Sequence, residues 1–114
     1  RFSAADFQHG PMALVERNFP VFLFAPPDVT WPALHTVLEK LHESKAEAVV
    51  ISDPGNREAL GMARWAVRLP KKYGEYLTQI PYIVPAQMFA ACLAAEKSLD
   101  PDHPRMLSKV TMTM

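Results

Sequence analysis

Histidine and lysine are the residues of this chain best suited to acid–base or covalent chemistry near neutral pH. His9 lies in the segment 7–11, where Gly10 and Pro11 end a predicted short helix directly after it. A histidine at such an end can project into a cleft and transfer a proton, because its ordinary pKa is near neutrality. Composition alone favours a plainer role, in which His9 caps the helix by bonding its terminal carbonyls.

Four other side chains could in principle act as nucleophiles or ligands. Lys109 has an amine that can condense with a carbonyl to form an imine, although a tail lysine is by itself more simply a solvated charge. Cys92 lies in an alanine-rich helix without a neighbouring base and is predicted to be a small core residue. His35 and His42 are seven residues apart on a predicted helix and are expected to face solvent. No histidine has a companion at metal-ligand spacing and no nucleotide-binding motif occurs, so we expect neither a metal nor a cofactor.

The charge balance limits the class of partner. Lys and Arg number 12, as do Asp and Glu, which argues against a nucleic-acid or anionic-membrane binder. A single cysteine excludes an internal disulfide, so we expect a reducing, cytoplasmic setting. No apolar run approaches the roughly 20 residues of a membrane helix, and no signal-peptide pattern is present.

The elements that must position these side chains follow from apolar spacing. Unbroken apolar runs at 20–25 and 48–51 predict buried strands of a parallel sheet, and the segment 65–69, closed by Pro70, predicts a third, shorter strand. Helices are predicted at 3–8 with Ser3 as N-cap, from Pro11, after Thr30 as N-cap, near 57–63, and at 82–99. Alternating strands and helices indicate an α/β sandwich with parallel strands.

The length of 114 residues suits one domain, 1–114. The chain opens on Arg1 without a turn or cap signal, so we expect it to be a domain of a longer parent chain.

Three segments, in order along the chain, carry a resemblance. Residues 5–15, Ala-Asp-Phe-Gln-His-Gly-Pro-Met-Ala-Leu-Val, resemble the E-F-x-H-G-P-x-A-L-[IV] segment of sugar isomerase (SIS) domains. Residues 80–87, Ile-Pro-Tyr-Ile-Val-Pro-Ala-Gln, are similar to a helix of glucosamine-6-phosphate synthases. Residues 100–111, Asp-Pro-Asp-His-Pro-Arg-Met-Leu-Ser-Lys-Val-Thr, are similar to the tail of that family. With these three segments, the chain resembles the second, C-terminal SIS domain of such a synthase.

The resemblance implies a three-layer α/β/α sandwich with a parallel sheet, the second half of a double-SIS protein. It also implies ketose–aldose isomerisation of fructose 6-phosphate toward glucosamine 6-phosphate. In that reading His9 opens the cyclic sugar in the neighbouring subunit of a homodimer, and Lys109 forms an imine at the ketose carbonyl. The phosphate-binding loop and the C1–C2 base are expected upstream, in the first SIS domain of the same parent chain. The chain alone is therefore expected to be inactive.

Departures from the family pattern keep other functions open. Asp6 replaces the usual Glu, Gln8 replaces a common Arg or Lys, and the tail is one residue shorter after Lys109. The alternatives are a double-SIS amino-sugar-phosphate deaminase or deglycase, and a non-catalytic sugar-phosphate-binding regulatory domain. A third is a dimerisation module in which residues 81–95 form the interface.

Overall fold

The computed structural model describes residues 2–74 and 76–100, in which three strands alternate with helices. Their bounds are α1 Ala4–Gln8, a 3₁₀ helix Pro11–Leu14, β1 Pro20–Phe24, α2 Trp31–Glu43, β2 Glu47–Ser52, α3 Arg57–Met62, β3 Trp65–Arg68 and α4 Gln79–Glu96. The predicted order of elements is confirmed, with ends displaced by at most three residues.

The three strands form one parallel sheet in the order β1-β2-β3. Pro20 is paired with Glu47 in the first ladder, and Val49 is paired with Trp65 in the second. Helices α2 and α3, which connect successive strands, both pack on one face of the sheet, whereas α4 packs on the other. The predicted three-layer α/β/α arrangement with a parallel sheet is confirmed.

Two apolar clusters, one on each face of the sheet, hold the layers together. The larger cluster joins Leu38 and Leu41 of α2 to Val50 of β2, all fully buried. The smaller cluster joins Ile51 of β2 to Tyr82 of α4. Successive strand residues point to opposite faces, so neighbours such as Val50 and Ile51 serve different clusters. This alternation explains why unbroken apolar runs occur in the strands that are covered on both sides.

Strand β3, predicted as a short third strand, is less covered than β1 and β2. All four of its residues are exposed, with Trp65 at 54%. It lies at one edge of the described sheet, and the α4 cluster is built on β1, β2 and Leu69 rather than on β3 itself. The predicted third strand is therefore confirmed, and its side chains lie at an exposed edge.

Helix α4 is apolar around its circumference, with no charged residue before Glu96. Ile80, Val84 and Met88, spaced four residues apart, are 68%, 44% and 62% exposed. Cys92 is also exposed, which corrects its prediction as a core residue. A helix that is hydrophobic all round is normally covered by other protein. None of the helices in the described ranges is both long and apolar enough to cross a membrane.

Candidate functional site

His9 lies at the exposed C-terminal end of α1. The helix starts at Ser3, whose hydroxyl oxygen accepts a hydrogen bond from the Asp6 N–H at 3.2 Å. It ends where the His9 backbone N–H donates to the Ala5 carbonyl, also at 3.2 Å. The His9 imidazole makes no hydrogen bond or ion pair with any other described residue. Side-chain capping by His9 is thus not observed, and its ring is free to meet another molecule.

The position of α1 places His9 away from the carboxyl ends of the strands. Gln8, the preceding residue, accepts a hydrogen bond from Lys40 in the last turn of α2 at 3.1 Å. Because α2 runs from the end of β1 back to the start of β2, its last turn lies near the amino ends of the strands. His9 therefore does not belong to the edge at which parallel α/β sheets usually bind ligands.

Lys109, the second predicted site residue, lies outside the described residues, as do His103 and most of the tail motif. The roles of His9 and Lys109 both stay predictions.

A buried polar cluster at the carboxyl end of β2 was missed by sequence reasoning, which treated residues 52–56 only as a turn. Ser52, Asp53 and Asn56 are all buried. The Ser52 hydroxyl donates to the Ala25 carbonyl at 2.6 Å, and the Asn56 amide donates to the same oxygen at 3.2 Å. These bonds tie the ends of β1 and β2 together. Polar residues directly after a buried parallel strand were the available signal.

Asp53 and Tyr82 extend this cluster to α4. The Asp53 N–H donates to the Tyr82 hydroxyl at 3.0 Å, and the Asp53 carboxylate accepts from the Gly55 N–H at 2.7 Å. Burial raises the pKa of Tyr82 to about 12. The neutral phenol holds the loop after β2 in place through the hydrogen bond that it accepts from the Asp53 N–H.

His35 is more constrained than expected. Its two ring nitrogens each lie 3.5 Å from a carboxylate oxygen, one of Glu39 and one of Glu58. Its ring also meets the Trp31 indole edge-on, with centroids 5.4 Å apart. The expectation of a merely solvated side chain is wrong for His35, because α3 brings Glu58 against α2. His42 is exposed, as expected.

Comparisons with known proteins identify the relationship. No family model matches the chain. A protein of Tropheryma whipplei (strain TW08/27), named glutamine–fructose-6-phosphate aminotransferase [isomerizing], is 38% identical over 112 residues, which cover 95% of this chain and 18% of that protein. A protein of the same name from Pyrococcus horikoshii is 39% identical over 108 residues, which cover 94% of this chain and 17% of that protein. The chain is homologous to part of these aminotransferases.

A solved structure gives the corresponding fold. The C-terminal domain of glucosamine-fructose-6-phosphate aminotransferase from Francisella tularensis matches with a TM-score of 0.75 and 20% identity, covering 85% of this chain and 27% of that one. The resemblance to the C-terminal SIS domain of such synthases is confirmed. The chain spans less than a fifth of the length of the aminotransferases to which it is similar.

Proposed function

We propose that this chain is the isomerase part of an enzyme that converts fructose 6-phosphate to glucosamine 6-phosphate. The observation that supports this most directly is that relatives named glutamine–fructose-6-phosphate aminotransferase [isomerizing] align with 95% of the chain. The phosphate-binding loop and the C1–C2 base are proposed to lie in a preceding SIS domain of the same parent chain. The chain by itself is then a catalytically incomplete half.

His9 is proposed to open the sugar ring. Its imidazole takes the proton of the anomeric hydroxyl at C2, the bond between C2 and the ring oxygen breaks, and the C2 carbonyl forms. The same imidazolium then returns a proton to the former ring oxygen. The exposure of His9 and the absence of a side-chain partner among the described residues support this role.

Lys109 is proposed to act on the open-chain ketose. Its neutral amine adds to the C2 carbonyl and water leaves, which gives an iminium and acidifies the C1 hydrogens. Ammonia from the amine donor displaces the lysine nitrogen at C2. A base from outside this chain then moves a proton from C1 to C2, which yields the 2-amino aldose.

A homodimer in a cytoplasmic setting completes the proposal. His9 lies near the amino ends of its own strands, a position from which it can serve a neighbouring subunit. The exposed apolar residues of α4 supply surface for association. The single cysteine, Cys92, fits a reducing compartment.

Borohydride trapping in the whole protein that contains this chain tests the role of Lys109. With fructose 6-phosphate and borohydride, peptide mass spectrometry should find a reduced sugar adduct on Lys109. Lys109→Ala should remove that adduct and abolish turnover, whereas the matched variant Lys97→Ala, at an exposed lysine, should keep both. Bound sugar without an adduct would refute the imine step.

The role of His9 has its own readout. His9→Ala should slow reaction of the cyclic sugar more than that of an open-chain analogue, while His42→Ala should affect neither. Equal slowing of both substrates by His9→Ala would show that His9 is structural.

A further inference from the structure

The turn that carries His9 lies between two short helices, neither of which contains a fully buried residue. On one side, the N–H groups of Phe7 and His9 donate to carbonyls at the start of α1. On the other side, the Ala13 N–H donates to the Gly10 carbonyl at 3.0 Å, which begins the 3₁₀ helix. A helix of five residues, such as α1, is not stable in water by itself, because so few hydrogen bonds do not offset the cost of nucleation. Contacts with the rest of the molecule must therefore hold His9 in place.

Two kinds of contact attach α1 to the layer formed by α2. Ala4 and Phe7 are partly buried against the larger apolar cluster, to which α2 and β2 contribute. At the last turn of α1, Lys40 Nζ donates to Gln8 Oε1 at 3.1 Å. Apolar packing is not directional, whereas a hydrogen bond restricts both distance and angle. The contact with Lys40 therefore restrains the orientation of the turn immediately before His9.

The charge of Lys40 makes the residue at position 8 important. Gln8 offers an uncharged oxygen to the ammonium, and a hydrogen bond with one ionised partner is stronger than a neutral one. An arginine or lysine, which Gln8 replaces in the family pattern, would place a second cation beside Lys40 and could not accept its hydrogen bond. The departure from the pattern at Gln8 is therefore matched to the residue that Gln8 contacts on α2.

The orientation of the His9 imidazole depends on this backbone turn. Its side chain has no hydrogen-bond or ion-pair partner among the residues that the structure describes. The backbone at His9, with φ of −87° and ψ of 8°, thus sets the direction in which the ring leaves the chain. Displacing a reacting group by about 1 Å can lower a rate about 100-fold. A contact that restrains the turn therefore affects proton transfer by His9.

We propose that Lys40 is a positioning residue for His9 and acts through Gln8. The Lys40 ammonium holds the last turn of α1 against α2, so that the imidazole meets the anomeric hydroxyl in a geometry suited to proton transfer. Lys40 takes no part in the bonds that form or break. The proposal rests on the ring opening proposed for His9.

Kinetics and hydrogen–deuterium exchange in the whole protein that contains this chain test the proposal. Lys40→Met keeps a long side chain but removes the donor. It should lower kcat/KM for cyclic fructose 6-phosphate about tenfold, with little effect on an open-chain analogue. It should also speed exchange in residues 3–9 and leave exchange in β2 unchanged.

Two further variants serve as controls for Lys40→Met. Lys40→Arg still donates to Gln8, so the kinetics and the exchange should stay near their original values. Lys97→Met removes the same charge at an exposed position after α4 and should change neither.

Combined substitutions separate positioning from a general effect on stability. In the His9→Ala background, Lys40→Met should cause no further loss with the cyclic sugar, because the group that Lys40 positions is absent. Gln8→Lys should lower kcat/KM for the cyclic sugar, although it introduces a residue common in the family. Lys40→Glu in the Gln8→Lys background provides an acceptor of opposite charge and should recover the rate.

Several results would overturn the proposal. They are unchanged exchange of residues 3–9 in Lys40→Met, equal loss with the cyclic and open-chain substrates, and an effect of Lys40→Met that persists in His9→Ala. Full activity of Gln8→Lys would show that the contact with Lys40 is not needed. Equal slowing of both substrates by His9→Ala would instead refute ring opening by His9, and exchange in Lys40→Met would then report by itself whether Lys40 holds the turn.

Discussion

At the scale of single residues, Asp53 and Tyr82 show how a buried polar pair fixes a loop. The Asp53 N–H is buried where β2 ends, and the Tyr82 hydroxyl from α4 is its hydrogen-bond acceptor. An unpaired buried N–H costs about 1–3 kcal/mol. The contact therefore stabilises both the end of β2 and the docking of α4.

Tyr82→Phe should lower the free energy of unfolding by about 1–3 kcal/mol at neutral pH, because it leaves the Asp53 N–H without its partner. Chemical denaturation measures the change. Tyr76→Phe is the control, since Tyr76 is 97% exposed. Equal effects of the two variants would contradict the importance of the Tyr82 hydrogen bond.

The raised pKa of Tyr82 predicts that the free energy of unfolding depends on pH in the alkaline range. The pKa of Tyr82 is about 12 in the folded chain, against an ordinary value of 10.0. Between these values the folded state keeps a proton that the unfolded state releases, so the stabilisation, complete below pH 10, is lost as pH rises toward 12. Tyr82→Phe should flatten this part of the stability profile, and Tyr76→Phe should not.

At the scale of elements, the C-terminal end of α2 requires a left-handed backbone conformation at Lys45, which is unfavourable for lysine. The Ala46 N–H donates to the Leu41 carbonyl and the Lys45 N–H to the His42 carbonyl, both at 3.0 Å, which is the Schellman pattern. This places Lys45 in the left-handed region, with φ of 57°. Glycine is favoured there because a Cβ atom makes that conformation costly.

Lys45→Gly should therefore raise the free energy of unfolding by about 0.5–1 kcal/mol. Thermal or urea unfolding measures the gain. Ala33→Gly, within the helix, is the matched control and should lower stability by a similar amount. A loss of stability in Lys45→Gly would show that the lysine side chain matters more than its backbone conformation.

The ends of the elements were harder to predict than their types. Helix α4 begins at Gln79, three residues before the predicted start at Tyr82. Pro81 lies in the first turn of the observed helix, where backbone N–H groups have no helical partner and proline is tolerated. A proline near the start of a helix therefore indicates where the first turn lies, but it does not determine which residue begins the helix.

At the scale of the whole molecule, the exposed residues Ile80, Val84 and Met88 form a continuous apolar stripe along α4. Burying apolar surface is favourable by about 25 cal/mol per Å². The stripe therefore offers apolar surface for the proposed association of two copies.

Met88→Glu should reduce self-association, because a charge in an apolar interface must be desolvated. Sedimentation velocity over a range of concentrations measures the effect. His42→Glu introduces the same group at an exposed position on α2 and should leave association unchanged. A dimer that persists in Met88→Glu would exclude the stripe from the interface.

The sequence by itself determined the order of elements, the parallel α/β class and the turn that carries His9. These features depend on local spacing, because the period of the apolar residues and the Gly10–Pro11 pair each determine the backbone conformation of only a few neighbouring residues. Only the tertiary structure decided which residues meet at the carboxyl edge. Asp53 and Tyr82 are 29 positions apart, and Trp31 and Glu58 are 27 apart. These contacts arise because whole helices pack on the sheet. The same packing leaves β3 and one side of α4 exposed. Local periodicity does not encode how helices and strands pack together.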